Sequence, residues 1–187
     1  MTSYIDKIIE SRKLHLAAWQ IAARKHNGQL YPGSDLPYLV HIGQVLLCLE
    51  PALAENPQMD KTLAILCAIL HDVVEDAGVT REEIADLFGP SAAAGVAALS
   101  KNPNLKKGRE RMEDSLERIL AEPKEVWLVK LSDRAANMSF SPPPNWSREK
   151  ILAYADEAKL IDERLGQASP LLSAWLKEKI AEWEGAR

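Results

Sequence analysis

The run Leu63-Ala-Ile-Leu-Cys-Ala-Ile-Leu70 leads without a break into His71-Asp72-Val73-Val74-Glu75-Asp76. An apolar run with no polar face is a helix buried nearly all round. Whatever fold the chain takes must therefore deliver an imidazole and three carboxylates to the edge of its own core. Buried carboxylates are costly unless they are paired or hold a metal, and a divalent cation is the usual remedy for several that repel each other. Continued as one helix, the stretch sets His71 against Glu75 and Asp72 against Asp76 on adjoining turns, with Glu75 also near Asp72, so that the four form one cluster. It reads as part of a metal site.

The chain around it is one domain's worth, residues 1–187, long enough to bury a real core. The formal net charge of −4 argues against a general nucleic-acid binder, which carries a basic excess. A phosphorylated small molecule needs only a local positive pocket. Cys48 and Cys67 both lie in apolar helical context and read as small buried hydrophobes in a reducing compartment. No stretch is long and apolar enough to span a membrane. The N-terminus, Met1-Thr-Ser-Tyr-Ile-Asp-Lys7, lacks the apolar core of a signal peptide, and the expected location is cytoplasmic.

Helical periodicity dominates, with no convincing β-branched alternation. Residues 3–26 form a first helix with Ile5, Ile8, Ile9, Leu16, Trp19 and Ala23 near one face, and a second runs from Tyr38 to Leu49. Pro51 to Gln58 is expected to be a connector. Asp60 is an N-cap for the buried helix, and Thr80-Arg-Glu-Glu83 is a capping box that opens a short helix ending at Phe88-Gly89. Pro90–Leu99 and Arg109–Ala121 are further helices, the second with Met112, Leu116, Ile119 and Leu120 inward. Lys101–Gly108 is a polar loop between them. Helices follow from Pro123 to Met138, from Ser147 to Gly166 and from Pro170 to Trp183. Ser141-Pro-Pro-Pro-Asn145 cannot be helical. The fold class is all-α, a single helical bundle of roughly eight to ten helices.

A His-Asp pair is too few ligands for a metal. Asp133, behind the apolar run Val126-Trp-Leu-Val-Lys-Leu131, is the best additional candidate. His41, flanked by apolar residues in Leu39-Val-His-Ile-Gly43, is the next. His15 and His26 have polar surroundings and are weaker candidates.

The order His…His-Asp…Asp resembles the HD superfamily of metal-dependent phosphohydrolases. Five blocks are similar to the RelA/SpoT hydrolase domain, and in particular to the stand-alone small alarmone hydrolases, including the metazoan SpoT homologues. They are Ala23-Arg-Lys-His-Asn-Gly-Gln29, Pro37-Tyr-Leu-Val-His41, Ala68-Ile-Leu-His-Asp-Val-Val-Glu-Asp76, Phe88-Gly89 and Val129-Lys-Leu-Ser-Asp-Arg-Ala-Ala-Asn-Met138. The resemblance implies His41, His71, Asp72 and Asp133 as metal ligands, with Mn²⁺ the usual ion. The donor set itself admits Mn²⁺, Fe²⁺ or Zn²⁺. It implies Glu75 and Asp76 as the catalytic acidic pair, able to position or deprotonate the attacking water. Its reaction is release of pyrophosphate from the 3′ position of guanosine tetra- or pentaphosphate, leaving GDP or GTP. For so anionic a substrate, cations are expected near the metal. Arg24, Lys25, Lys130 and Arg134 are the candidates, with Asn137 and Tyr154 as further substrate contacts.

The sequence departs from this pattern where a base would be read. After Gln29 the family has an Arg-Lys pair, and here Leu30-Tyr31 stands in its place. Ile42 replaces a proline, and Ser139-Phe140 replaces Arg-Thr. Tyr31 could stack on a base in place of a guanidinium. The base therefore stays open between guanosine and an adenosine alarmone or the 2′-phosphate of NADPH, and a non-catalytic nucleotide-binding domain is the remaining alternative. The expected partner is a small-molecule nucleotide, with no nucleic acid and no membrane; self-association to a homo-oligomer stays open. No synthetase domain is expected to follow.

Overall fold

The structure, a computed structural model, describes residues 3–106 and 108–186. Met1 and Thr2 of the N-terminus, Lys107 of the polar loop and the terminal Arg187 lie outside them. Among the described residues there are ten α-helices, a short 3-10 turn and no strand. The helices are α1 (Tyr4–Lys25), α2 (Leu39–Glu55), α3 (Lys61–Leu70), α4 (Val73–Ala77) and α5 (Arg81–Phe88). After them come α6 (Pro90–Leu99), α7 (Arg109–Leu120), α8 (Lys124–Met138), α9 (Arg148–Leu165) and α10 (Pro170–Gly185).

The caps follow local chemistry. Ser3 and Thr80 each make a reciprocal capping box with Asp6 and Glu83. Asp60 accepts from the backbone of Thr62 and Leu63 and so starts the apolar α3. Within α3, every residue from Leu66 to Leu70 is buried. The α8 helix is the axis of the bundle: α2, α3, α9 and α10 all pack on it, and it is buried from Leu128 to Ala136, Lys130, Asp133 and Arg134 included. Trp183 of α10 closes its C-terminal end by donating to the carbonyls of Met138 and Phe140.

Three sequence expectations are corrected. The inward face of α1 is the small-residue stripe Ala18 and Ala22, not the isoleucines: Ile5, Ile8, Ile9 and Leu16 are exposed. Alanines let α1 lie close on α3, an approach that Ser11 and Thr62 seal by a hydroxyl–hydroxyl hydrogen bond of 2.8 Å. The second helix does not stop before Pro51 but runs to Glu55. A helical proline leaves the carbonyl four residues back without its donor. That residue is Leu47, on the solvent face, while Ala52 and Leu53 beyond the proline are buried and hold the last turn to the core. The stretch His71–Asp76 is also not one helix. The α3 helix ends at Leu70, His71 and Asp72 form a turn, and α4 begins at Val73. Gly78 ends α4 with φ of 67°, a left-handed conformation that suits glycine.

Candidate metal centre and active site

The second, third and eighth helices bring their functional side chains to one point. His41 comes from the first turn of α2, His71 and Asp72 from the turn between α3 and α4, and Asp133 from the middle of α8. His41 Nε2 lies 3.3 Å from His71 Nε2 and 3.4 Å from Asp133 Oδ1. His71 Nε2 is 3.9 Å from the same oxygen. One ligand atom from each of His41, His71 and Asp133 thus falls within 4.8 Å of the others, and all three residues are buried. Asp72 adjoins this group through His71, its Oδ2 2.9 Å from Nε2.

The donors fit a divalent cation. His71 Nδ1 is 2.8 Å from the Ala68 carbonyl, which can only accept, so Nδ1 carries the hydrogen and Nε2 faces the cluster. Asp133 is held from both sides: Lys130 Nζ donates to Oδ2 at 3.0 Å and Asn137 Nδ2 to Oδ1 at 2.7 Å. Tyr38 donates its hydroxyl to Asp72 Oδ2. Two imidazole nitrogens and two carboxylates are the mixed N/O set that suits Mn²⁺, Fe²⁺ or Zn²⁺.

The electrostatics express the same crowding. Burial by itself pushes the His71 imidazolium down, but the carboxylates of Asp72 and Asp133 more than reverse this and carry it up to about 9. Burial would raise both carboxyls; the His71 imidazolium holds Asp72 well below the usual range, and Lys130 with the two histidines does the same for Asp133. In metal-free protein, protonated His71 is thus the counter-ion of the cluster. Its folded value of about 9 exceeds the unfolded value of about 6.5. The stabilisation is therefore complete below about pH 6.5 and lost as pH rises through 9, a difference of about 3 kcal/mol. Chelator-treated protein is expected to show its urea midpoint falling between pH 6.5 and 9. Metal displaces that proton, so metal affinity should rise over the same window, and calorimetry in buffers of different ionisation enthalpy should detect the proton released.

Above the cluster opens a polar cleft of about 410 Å³, lined among others by Gln29, Asp72, Glu75, Asp76, Lys101, Asp133, Arg134 and Tyr154. Glu75 and Asp76 line this cleft together with His71 and Asp72, and each is also held from another part of the chain. Glu75 accepts from the backbone N–H of Lys101 at 3.1 Å and from its Nζ at 3.4 Å. Asp76 accepts from Gln29 Nε2 at 2.8 Å. Arg134 is 4% exposed and committed: it stacks on the Tyr154 ring at 3.8 Å and donates to the Tyr154 carbonyl and to Glu157. Lys130 lines the cleft but is bound to Asp133. Arg24 and Lys25 stand outside, exposed at the end of α1 and absent from the lining. Sequence reading gave no role to Gln29, Tyr38, Lys101 or Glu157. Lys101 lies in a polar loop without periodicity, and Tyr38 looks like an ordinary helix-entry residue.

A second cavity of about 530 Å³, lined by Tyr31 among others, adjoins the cleft and shares Pro32, Asn137 and Tyr154 with it. Phe140, Trp146 and Trp183 give it aromatic walls. Tyr31 stacks on His41, with ring centroids 5.6 Å apart, and its hydroxyl donates to Asn137 Oδ1 at 3.2 Å. Asn137 therefore joins the aromatic wall to Asp133.

Residues 18–167 match the family model described as HD domain. The chain is 28% identical over 165 residues to the Drosophila melanogaster protein named guanosine-3′,5′-bis(diphosphate) 3′-pyrophosphohydrolase MESH1, covering 85% of this chain and 88% of that one. It is 31% identical over 174 residues to an Aquifex aeolicus protein of the same enzymatic name, covering 89% of this chain and 23% of that one. A Myxococcus xanthus GTP pyrophosphokinase is 30% identical over 177 residues, or 88% of this chain, which spans only 21% of its length. Among solved structures, that of a metazoan orthologue of SpoT that hydrolyses ppGpp superposes with a TM-score of 0.74 at 26% identity, covering 90% of this chain and 94% of that one. No helix among the described residues is long and apolar enough to cross a membrane.

Proposed function

This chain belongs to the HD-domain family, and on that premise we propose that it is a metal-dependent guanosine-3′,5′-bis(diphosphate) 3′-pyrophosphohydrolase built as one domain over residues 1–187. The carrying observation is the convergence of His41, His71 and Asp133 to within 4.8 Å, with His71 and Asp133 lining a polar cleft. The names of the fly and Aquifex relatives support the substrate.

In this reading His41, His71, Asp72 and Asp133 hold the cation, Mn²⁺ first and Fe²⁺ or Zn²⁺ also compatible with the donors. A bound divalent ion lowers the pKa of a water and neutralises phosphate charge. The protein's own groups do the rest. Asp76, at the rim of the cleft, orients the attacking water and takes its proton. The water oxygen joins the phosphorus on the 3′-oxygen, the bond to that oxygen breaks, and the 3′-oxygen takes up a proton as pyrophosphate leaves. Lys101 and Arg134 give the cleft its positive charge, and the aromatic cavity beyond Tyr31 receives the base. Two reduced, buried cysteines accord with a cytoplasmic setting.

Leu30 and Tyr31 favour a second reading, the same chemistry on an adenosine nucleotide, because the wall is aromatic where charge was expected. The test is a Mn²⁺-supplemented panel of ppGpp, pppGpp, their adenosine counterparts and NADPH, with phosphate and pyrophosphate resolved by ion chromatography. Pyrophosphate from ppGpp is the expected result. Turnover confined to the adenosine compounds would replace guanosine, and turnover of none would overturn the hydrolase reading. On the preferred substrate, Tyr31→Ala should raise KM by about tenfold through lost stacking, with Tyr31→Phe close to wild type.

A further inference from the structure

We propose that Gln29 is a positioning residue that holds the Asp76 carboxylate in place, with its own amide oriented by His26. This rests on the reading of Asp76 as the group that orients the attacking water.

Gln29 is fixed at both ends. Its backbone N–H donates to the His26 carbonyl at 3.0 Å, and its carbonyl accepts from Tyr38 N at 2.9 Å, closing the loop that joins α1 to α2. Its side chain spans two partners: Nε2 lies 2.8 Å from Asp76 Oδ2, and Oε1 lies 2.7 Å from His26 Nδ1. The direction of each bond follows from donor chemistry. An ionised carboxylate only accepts, so it must face the amide nitrogen; the amide oxygen also only accepts, so His26 Nδ1 must carry the hydrogen. A flipped amide would set oxygen against carboxylate at one end and, at the other, move the His26 hydrogen to Nε2, which is buried without a partner among the described residues.

His26 is itself buried and packed. It is 3% exposed, its ring lies 4.7 Å from that of Tyr38, and Tyr38 donates to Asp72. One buried imidazole thus supports the tethers of two acids, one at the metal cluster and one at the rim.

Asp76 needs such a tether. It is exposed, on a helix of five residues, and among the described residues the hydrogen bond from Gln29 is the one its carboxylate accepts. Glu75 beside it is already held by two bonds from Lys101. A free carboxylate on a short exposed helix samples several rotamers, and a base misplaced by about 1 Å can cost about a hundredfold in rate. Gln29 restricts Asp76 to one of them.

The experiment measures pyrophosphate release from ppGpp with Mn²⁺ by the full chain. Gln29→Glu keeps the shape and loses the donor; Gln29→Leu loses both polar ends. Each is made in wild-type and in Asp76→Asn backgrounds, with melting temperature and Mn²⁺ affinity measured alongside. The expected result is a fall in kcat of about tenfold, with KM changed less than about twofold. Melting temperature and Mn²⁺ affinity hold, and neither substitution has a further effect once Asp76 is Asn. Wild-type-like turnover by Gln29→Glu, equal losses in both backgrounds, or a rise in KM with kcat held would each overturn the proposal while Asp76→Asn remains impaired. Loss of Mn²⁺ affinity or of melting temperature matching the loss of rate would overturn it as well, by showing a structural role. If Asp76→Asn turns over normally, the assignment of Asp76 falls and the proposal with it. If wild type releases nothing, the hydrolase reading itself fails.

Discussion

His71→Ala should lower pyrophosphate release by at least about a thousandfold and abolish tight Mn²⁺ binding. The size follows from what the residue does at once. A bound metal supplies several kcal/mol of charge stabilisation, and each 1.4 kcal/mol is tenfold in rate. His71 Nε2 is also the atom through which Asp72 adjoins the cluster, at 2.9 Å, and it lies within 4 Å of both His41 Nε2 and Asp133 Oδ1. Removing it leaves two carboxylates facing each other without the imidazolium that compensates them in metal-free protein. The variant should therefore lose stability after chelator treatment at pH 6.5, where that cation is fully present, and lose much less at pH 9. Steady-state rates, Mn²⁺ titration and urea unfolding at the two pH values check the three parts separately. A variant that still turns over ppGpp, or whose stability deficit does not depend on pH, would remove His71 from the centre of the site.

How much of this was readable beforehand depends on which physical signal each residue leaves in the chain. The all-α class, the Asp60 cap and the Thr80 capping box are written in residue spacing, and the structure has them. His41, His71 and Asp133 stood out because ionisable groups seldom sit inside apolar helical runs, and packing α2, α3 and α8 together places them in one cluster. Other features leave no such mark. Ile5, Ile8 and Ile9 satisfy helical periodicity as well as Ala18 and Ala22 do, and only the close approach of α3 selects the alanines. The break at His71–Asp72 carries no glycine or proline, so a continuous helix was the natural reading, and nothing in that stretch announces the further partners of Glu75 and Asp76. Those partners, Lys101 and Gln29, lie 26 and 47 residues away and reach the acids through loops. The same holds for Lys130 and Arg134. Sequence marks them as cations near a phosphate site, but burial beside Asp133, Tyr154 and Glu157 had already engaged them.

The pairing of Lys130 with Asp133 yields the second large effect. Asp133→Ala should destabilise the fold by about 3–5 kcal/mol, the usual cost of stranding one partner of a buried ion pair. The Lys130 side chain is 6% exposed and its ammonium donates to Asp133 Oδ2 at 3.0 Å. With the carboxylate gone, the charge stays inside a helix that is buried almost all round. Activity should vanish as well, because Asp133 Oδ1 is the oxygen shared by His41, His71 and Asn137. The two losses have different causes and can be separated. Lys130→Met in the Asp133→Ala background removes the stranded charge, so urea midpoints should recover most of the stability, while pyrophosphate release stays absent. The single Lys130→Met variant should be milder in stability than Asp133→Ala, because a bound cation and the two histidines still face the remaining carboxylate. If the double variant is no more stable than Asp133→Ala, the cost lies in packing and not in the unpaired ammonium. If it regains activity, Asp133 is not part of the catalytic centre. Activity without stability loss in Asp133→Ala would contradict both. The position is thus where the core of this fold and its chemistry share one side chain, and Lys130 is better understood as the counter-ion of that side chain than as a receptor for phosphate.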